Sequence, residues 1–198
     1  MLDSAFDRHL IEPVVKYRTD KYALQEGLIS NLWQAWCVFC REIVIASAIG
    51  ALTKGGLATT SSYATRSEME IAFVASKAAS RRSVGIVRPL VGKHLEPTWG
   101  DLTKINLIIS ALNCSNNSSL LSAFGAALLI DDLQLCRNTC AHLNSDTLSQ
   151  LVSAKVRYND TKFSHPSDVI FWVDPSSRDY LWKSWVDEMY LVTSFAIN

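Results

Sequence analysis

Leu135-Cys136-Arg137-Asn138-Thr139-Cys140-Ala141-His142-Leu143-Asn144 is the stretch around which the rest of the chain is organised. Leu128, Leu129, Leu133 and Leu135 lead into it at helical spacing, and an arginine, an amide and a histidine then arrive within six positions. At about 100° per residue Asn138 and His142 share a helix face, whereas Arg137 and His142 stand roughly 140° apart. The two meet at one point only if the helix is distorted there or if two chains come together along it.

Working outward, helical periodicity dominates. The run Leu120 to Ile130 is uncharged and about 11 residues long, the length of a buried helix and well short of the ~20 residues of a membrane span. It is expected to continue as one motif helix to His142. Leu24, Leu28, Leu32, Trp33, Trp36, Phe39, Cys40, Ile43 and Val44 form a long apolar stripe, with Glu26, Arg41 and Glu42 mostly off it. Thr19 or Asp20 is its expected N-cap, and Gly50 or the Gly55-Gly56 pair its stop. A short helix is expected over residues 4–17, interrupted at Pro13.

Ser67-Glu68-Met69-Glu70 has capping-box spacing and opens a helix to Ala79. Asp101 caps a helix carrying Leu102, Ile105, Ile108, Ile109 and Leu112, and Asn113 to Ser119 is a polar turn. Asn144 or Ser145 restarts a helix to about Arg157. Val169 to Val173 reads as a brief β-like run, and the last helix is expected from near Pro175, with Leu181, Trp182, Trp185, Val186, Met189, Tyr190 and Phe195 on its apolar side. The expected architecture is all-α: a helical bundle of five to six helices in a single domain, 1–198, with a short β-like element near 169–173.

With 48% hydrophobic and 19% charged residues the chain is long and apolar enough to fold around a core. Its formal net charge of zero means that any nucleic-acid contact depends on a local patch. The candidate patch is Lys77, Arg81, Arg82, Arg88 and Lys93, in a stretch from Ile71 to Leu95 without an acid. An ordinary solvated face is the competing reading.

Five cysteines, an odd number and mostly in apolar runs, fit a reduced, cytoplasmic protein better than a disulfide framework. The first twelve residues carry acids and no apolar core of a secretion signal. Cys37-x-x-Cys40, and Cys136 with Cys140 near His142, raise the question of zinc. Both pairs lie inside apolar runs with no turn to wrap a metal, so they read as core. The six tryptophans read as core or interface anchors, with base stacking an alternative for Trp99 and Trp172.

Arg137-Asn138-x-x-x-His142, with Ala141 before the histidine and the apolar run from Leu120 to Leu133 ahead of it, resembles the signature of the HEPN superfamily. The Trp-rich segment Leu28 to Ile45 is more faintly similar to the stand-alone, RNA-ligase-associated type. The resemblance implies a helical bundle and metal-independent endoribonuclease action of toxin or host-defence type. It also implies 2′,3′-cyclic phosphate products and a site shared by two protomers of a homodimer. The residues themselves suit that chemistry. RNA brings its own nucleophile, the 2′-OH; His142 is a group that exchanges protons near neutrality, Arg137 a permanent charge that grips phosphate through two N–H groups, and Asn138 an orienting amide. This set requires no metal or other cofactor. The expected partners are RNA, a second copy of the chain, and an antitoxin or regulatory protein, with no membrane.

Two readings compete with it. One is a non-catalytic HEPN module that binds nucleotides or a partner protein. In the other the motif is accidental, Arg137 snorkelling at a helix end while His142 meets the helix C-terminal dipole.

Overall fold

The computed structural model describes residues 2–7 and 18–197. The protein is all-α, with helices α1 (Leu2–Phe6), α2 (Arg18–Ile49), α3 (Glu68–Ala79), α4 (Leu102–Leu112), α5 (Asn117–Gly125), α6 (Ile130–Ala141), α7 (Ser145–Ala154) and α8 (Leu181–Ala196). Short 3₁₀ turns occupy Lys93–Leu95, Lys155–Arg157 and Pro166–Phe171. Only α1 of the helix expected over residues 4–17, and not Pro13, falls within the described residues. The chain divides into two compact units, Met1–Ala35 with Leu129–Met189, and Trp36–Leu128 with Tyr190–Asn198.

The second unit shows how local chemistry sets helix ends. Ser67 accepts from the Glu70 N–H while the Glu70 carboxylate accepts from the Ser67 N–H, closing a capping box at the start of α3. Asp101 caps α4 through the Lys104 N–H, and Asn113 ends it in the left-handed conformation. Gly50, at φ +99°, follows the last residue of α2. α3 packs on α4 and α4 on α5. Trp36 lies in this core, edge-on to Phe124 and donating its indole N–H to Gly100 O at 3.0 Å.

The first unit holds the motif. α6 packs on α7 and on the 3₁₀ turn Pro166–Phe171. Phe6 of α1 stacks on Trp182 at 5.3 Å and meets Phe171 and Tyr180. Buried Asp132 accepts from both Arg157 and Tyr158, which anchors the end of the α7 segment to α6.

α2 is long and apolar enough to cross a membrane by length and composition, a feature the sequence reading did not pick out. Of its most apolar window, 44% is buried against protein.

Three expected elements differ. The motif helix does not begin at Leu120: α5 ends at Gly125, Ala126–Leu129 form a tight turn, and α6 starts at Ile130. The Glu188 carboxylate accepts the Leu129 N–H at 2.8 Å, supplying from afar a partner that a continuous helix would have provided internally. The β-like run near 169–173 is 3₁₀ through Phe171, and only Val173 pairs, bridging Asn159 on one side and Tyr180 on the other. Pro166 at the first turn and Asp168, accepting from the Ser164 and His165 N–H groups, favour the helical turn. The last helix starts at Leu181, not near Pro175, because Asp174 accepts from the Ser176 and Ser177 N–H groups and Arg178 takes φ +60°. Tyr190 and Phe195, assigned to its apolar side, are exposed, while Val192 and Ala196 are buried.

Candidate functional site

Arg137 and Asn138 lie in the last turn of α6, and His142 is its C-cap. The helix ends there because His142 turns to φ −140°, ψ 66° while its N–H still closes the last turn on Asn138 O at 2.8 Å. The His142 carbonyl accepts from Asn144 Nδ2 and Thr147 Oγ1, both at 3.1 Å, and Asn144 in turn caps α7. The backbone on either side of the histidine is thus fixed by hydrogen bonds, and its side chain is exposed.

Arg137 is half-buried, and its Nη1 donates to Asn138 Oδ1 at 3.1 Å. Among the described residues no carboxylate forms an ion pair with it. It lines a groove of ≈ 330 Å³ with Glu26, Gly27 and Ser30 of α2 and Cys140 and Ala141 of α6. Asn138 orients the guanidinium without neutralising it, which leaves a fixed positive charge facing solvent. His142 is not among the groove-lining residues, and no hydrogen bond of its ring joins it to Arg137 or Asn138 among the described residues.

His165 is built into the same unit. Its ring stacks on Tyr22 at 4.2 Å. Nδ1 lies 2.8 Å from Ser167 Oγ and 3.3 Å from the Ser167 backbone N, and Nε2 lies 3.5 Å from Glu26 Oε1. Ser167 is buried and donates to Gln25 Oε1 at 2.7 Å. Glu26 and Gln25 were missed because an isolated Gln-Glu pair on a helix carries no motif. The one available signal was Gln25, three and four residues before Leu28 and Ile29 and therefore on the buried stripe.

The cysteines are free thiols. The hydrogen bond with Cys140, and then burial, hold the Cys136 thiol well above its ordinary range, and burial does the same for Cys40. Among the described residues no three His, Cys, Asp or Glu side chains converge as metal ligands. All six tryptophans are buried, Trp172 completely and Trp99 with its N–H on Glu96, so neither of the two proposed as base platforms presents a face.

In the second unit Arg81, Arg82, Arg88 and Lys93 are exposed. Arg88 and half-buried Lys77 both lie over the Phe73 ring, at 5.5 and 5.3 Å. No protein-family model matches the chain, and no curated protein and no solved structure is significantly similar to it.

Proposed function

We propose that the protein is a metal-independent, HEPN-like endoribonuclease of toxin or host-defence type, acting in the cytoplasm. The observation that carries the reading is Arg137: a half-buried guanidinium lining a groove, oriented by the neutral Asn138 and without a carboxylate partner among the described residues. A charge so placed, with its side chain already ordered, suits a phosphodiester. His142, exposed five residues on, is the proton-handling group. Substrate 2′-oxygen attacks phosphorus, Arg137 takes up the charge gathering on the phosphoryl oxygens, and the 5′-oxygen leaves. The resemblance of Arg137-Asn138-x-x-x-His142 to the HEPN signature supports the same assignment. It further suggests a two-fold dimer in which Arg137, Asn138 and His142 of both copies line the cleft. Lys77, Arg81, Arg82, Arg88 and Lys93 are proposed to track the RNA backbone.

The test is cleavage of labelled RNA in EDTA. The parent protein is expected to cut it to cyclic-phosphate ends and to leave DNA of matched sequence intact. Arg137→Ala and His142→Ala are expected to be folded by circular dichroism and inactive. Products bearing a 5′-phosphate would indicate an activated water instead and overturn the mechanism. A parent protein that binds RNA without cutting it would favour the non-catalytic HEPN module.

A further inference from the structure

Resting on the ribonuclease reading, the geometry points to Glu26 as a catalytic residue of the same site: the general base that takes the 2′-OH proton in the groove where Arg137 holds the phosphate. α2 and α6 place one carboxylate and one guanidinium on the walls of a single groove of ≈ 330 Å³, from positions far apart in sequence. The two are not ion-paired, so the groove lies between them and each is left to meet a third group. Glu26 is also close enough to α6 for its charge to reach the Cys136 thiol.

The carboxylate is held from behind. His165 Nε2 stands 3.5 Å from Glu26 Oε1, and the imidazole is itself fixed by the Tyr22 ring on its face and by Ser167, whose hydroxyl is tied to buried Gln25. A surface glutamate ordinarily spends its time in many rotamers. This one is 41% exposed yet backed by four side chains, the arrangement by which supporting groups keep a reacting one in place.

The step balances without a co-reactant. Glu26 accepts the proton of the 2′-OH, the O2′–P bond forms, and the P–O5′ bond breaks. In the two-fold dimer proposed above, the departing 5′-oxygen takes a proton from a His142 ring brought to the cleft, leaving a 2′,3′-cyclic phosphodiester and a 5′-hydroxyl. Glu26 and His142 thus act as base and acid, and His165 is a positioning residue.

The experiment compares the full-length parent, Glu26→Gln and Arg137→Ala. It measures kcat and KM on a labelled RNA in EDTA, and Kd for an uncleavable 2′-O-methyl RNA of the same sequence. Glu26→Gln is expected to lower kcat about 10²- to 10⁴-fold. Its Kd should stay equal to or below that of the parent, because a negative charge beside the phosphate has gone. Glu26→Asp, which keeps the charge on a shorter arm, should retain more activity than Glu26→Gln. Arg137→Ala should instead raise Kd as well as lower kcat. A Glu26→Gln protein that cuts at the parent rate while Arg137→Ala is dead overturns the role of Glu26 and leaves the ribonuclease standing. Loss of kcat with a parallel rise in Kd makes Glu26 structural and overturns it too. A parent protein that leaves RNA intact overturns both readings.

Discussion

Two half-buried arginines in this protein have opposite surroundings. Arg41, in the second unit, donates to Glu96 at 2.9 Å, to Glu42 at 2.8 Å and to Glu68 at 3.4 Å. The hydrogen bond to Glu96 raises its already high pKa further, against the opposing effect of burial. Arg137, in the first unit, has a neutral amide where Arg41 has three carboxylates. Both are held in place, but among the described residues only Arg41 is neutralised by carboxylates. An ordered cation with its charge answered by its own chain is a clamp between elements; one whose charge is unanswered favours an anion from outside.

The comparison breaks most visibly if the arginines are exchanged in effect. Arg137→Ala should abolish detectable cleavage, lowering kcat/KM for RNA by at least about 10²- to 10³-fold, the loss of one well-placed transition-state donor, with little change in Tm. Asn138→Asp should turn Arg137 into a second Arg41. The new carboxylate pairs with the guanidinium, stabilises the fold by no more than about 1 kcal/mol as a surface pair does, and lowers cleavage at least about tenfold. If Asn138→Asp cuts as fast as the parent, an unanswered charge is not what the site depends on.

Arg41→Ala should do the reverse and cost stability instead of activity. It strands the Glu96 carboxylate, whose side chain is 13% exposed and, among the described residues, retains only the Trp99 N–H as a hydrogen-bond donor. A loss of about 2 kcal/mol is expected for hydrogen bonds to a charged group. Calorimetry should read this as a Tm lower by about 4–8 °C, with cleavage at 25 °C unchanged. Replacing Arg81 and Arg82 together by Gln should act on neither quantity strongly. It should weaken RNA binding and flatten the plot of log Kd against log salt by about one unit for each phosphate that is no longer neutralised. An unchanged slope removes the patch from the interface.

The smallest effect is on acid stability. Burial pushes the Glu96 carboxyl up, but hydrogen bonds from Arg41 and Trp99 and the Lys93 charge outweigh it and hold it below its ordinary value. A carboxyl whose folded pKa is depressed stabilises the fold above its unfolded pKa, and that contribution fades as pH falls through the folded value. The Tm gap between the parent and Arg41→Ala should therefore be full at pH 7 and narrow below about pH 4. A gap constant from pH 7 to pH 3 would mean that Arg41 acts through packing and not through charge.

What could be read from the sequence about these two sites differs in kind. Arg41 was visible only as a charge off the apolar stripe, because its partners lie 27 and 55 residues away. Arg137, Asn138 and His142 were visible as a group because they fall within six residues. The azimuths assigned to them assumed a regular helix through His142, and the structure ends that helix at Ala141, with His142 as its cap. The carboxylate sharing the groove with Arg137 went unseen, since nothing in the sequence near Glu26 points to α6.

The sequence by itself determined the ends of α3 and α4, the start of α7 and the buried stripe of α2. Caps such as Ser67 with Glu70, Asp101 with Lys104 and Asn144 with Thr147 act over three residues, and a stripe at helical spacing repeats within one element. Tertiary structure decided the rest. The uncharged run from Leu120 to Ile130 contains no local stop strong enough to mark its break, and the Leu129 N–H finds its partner in Glu188, 59 residues on. Pro166–Phe171 coils as a 3₁₀ turn beside a network that reaches back 142 residues to Gln25. Short-range hydrogen bonds are written in neighbouring letters, whereas a groove with Glu26 on one wall and Arg137 on the other exists only once packing has brought α2 and α6 together.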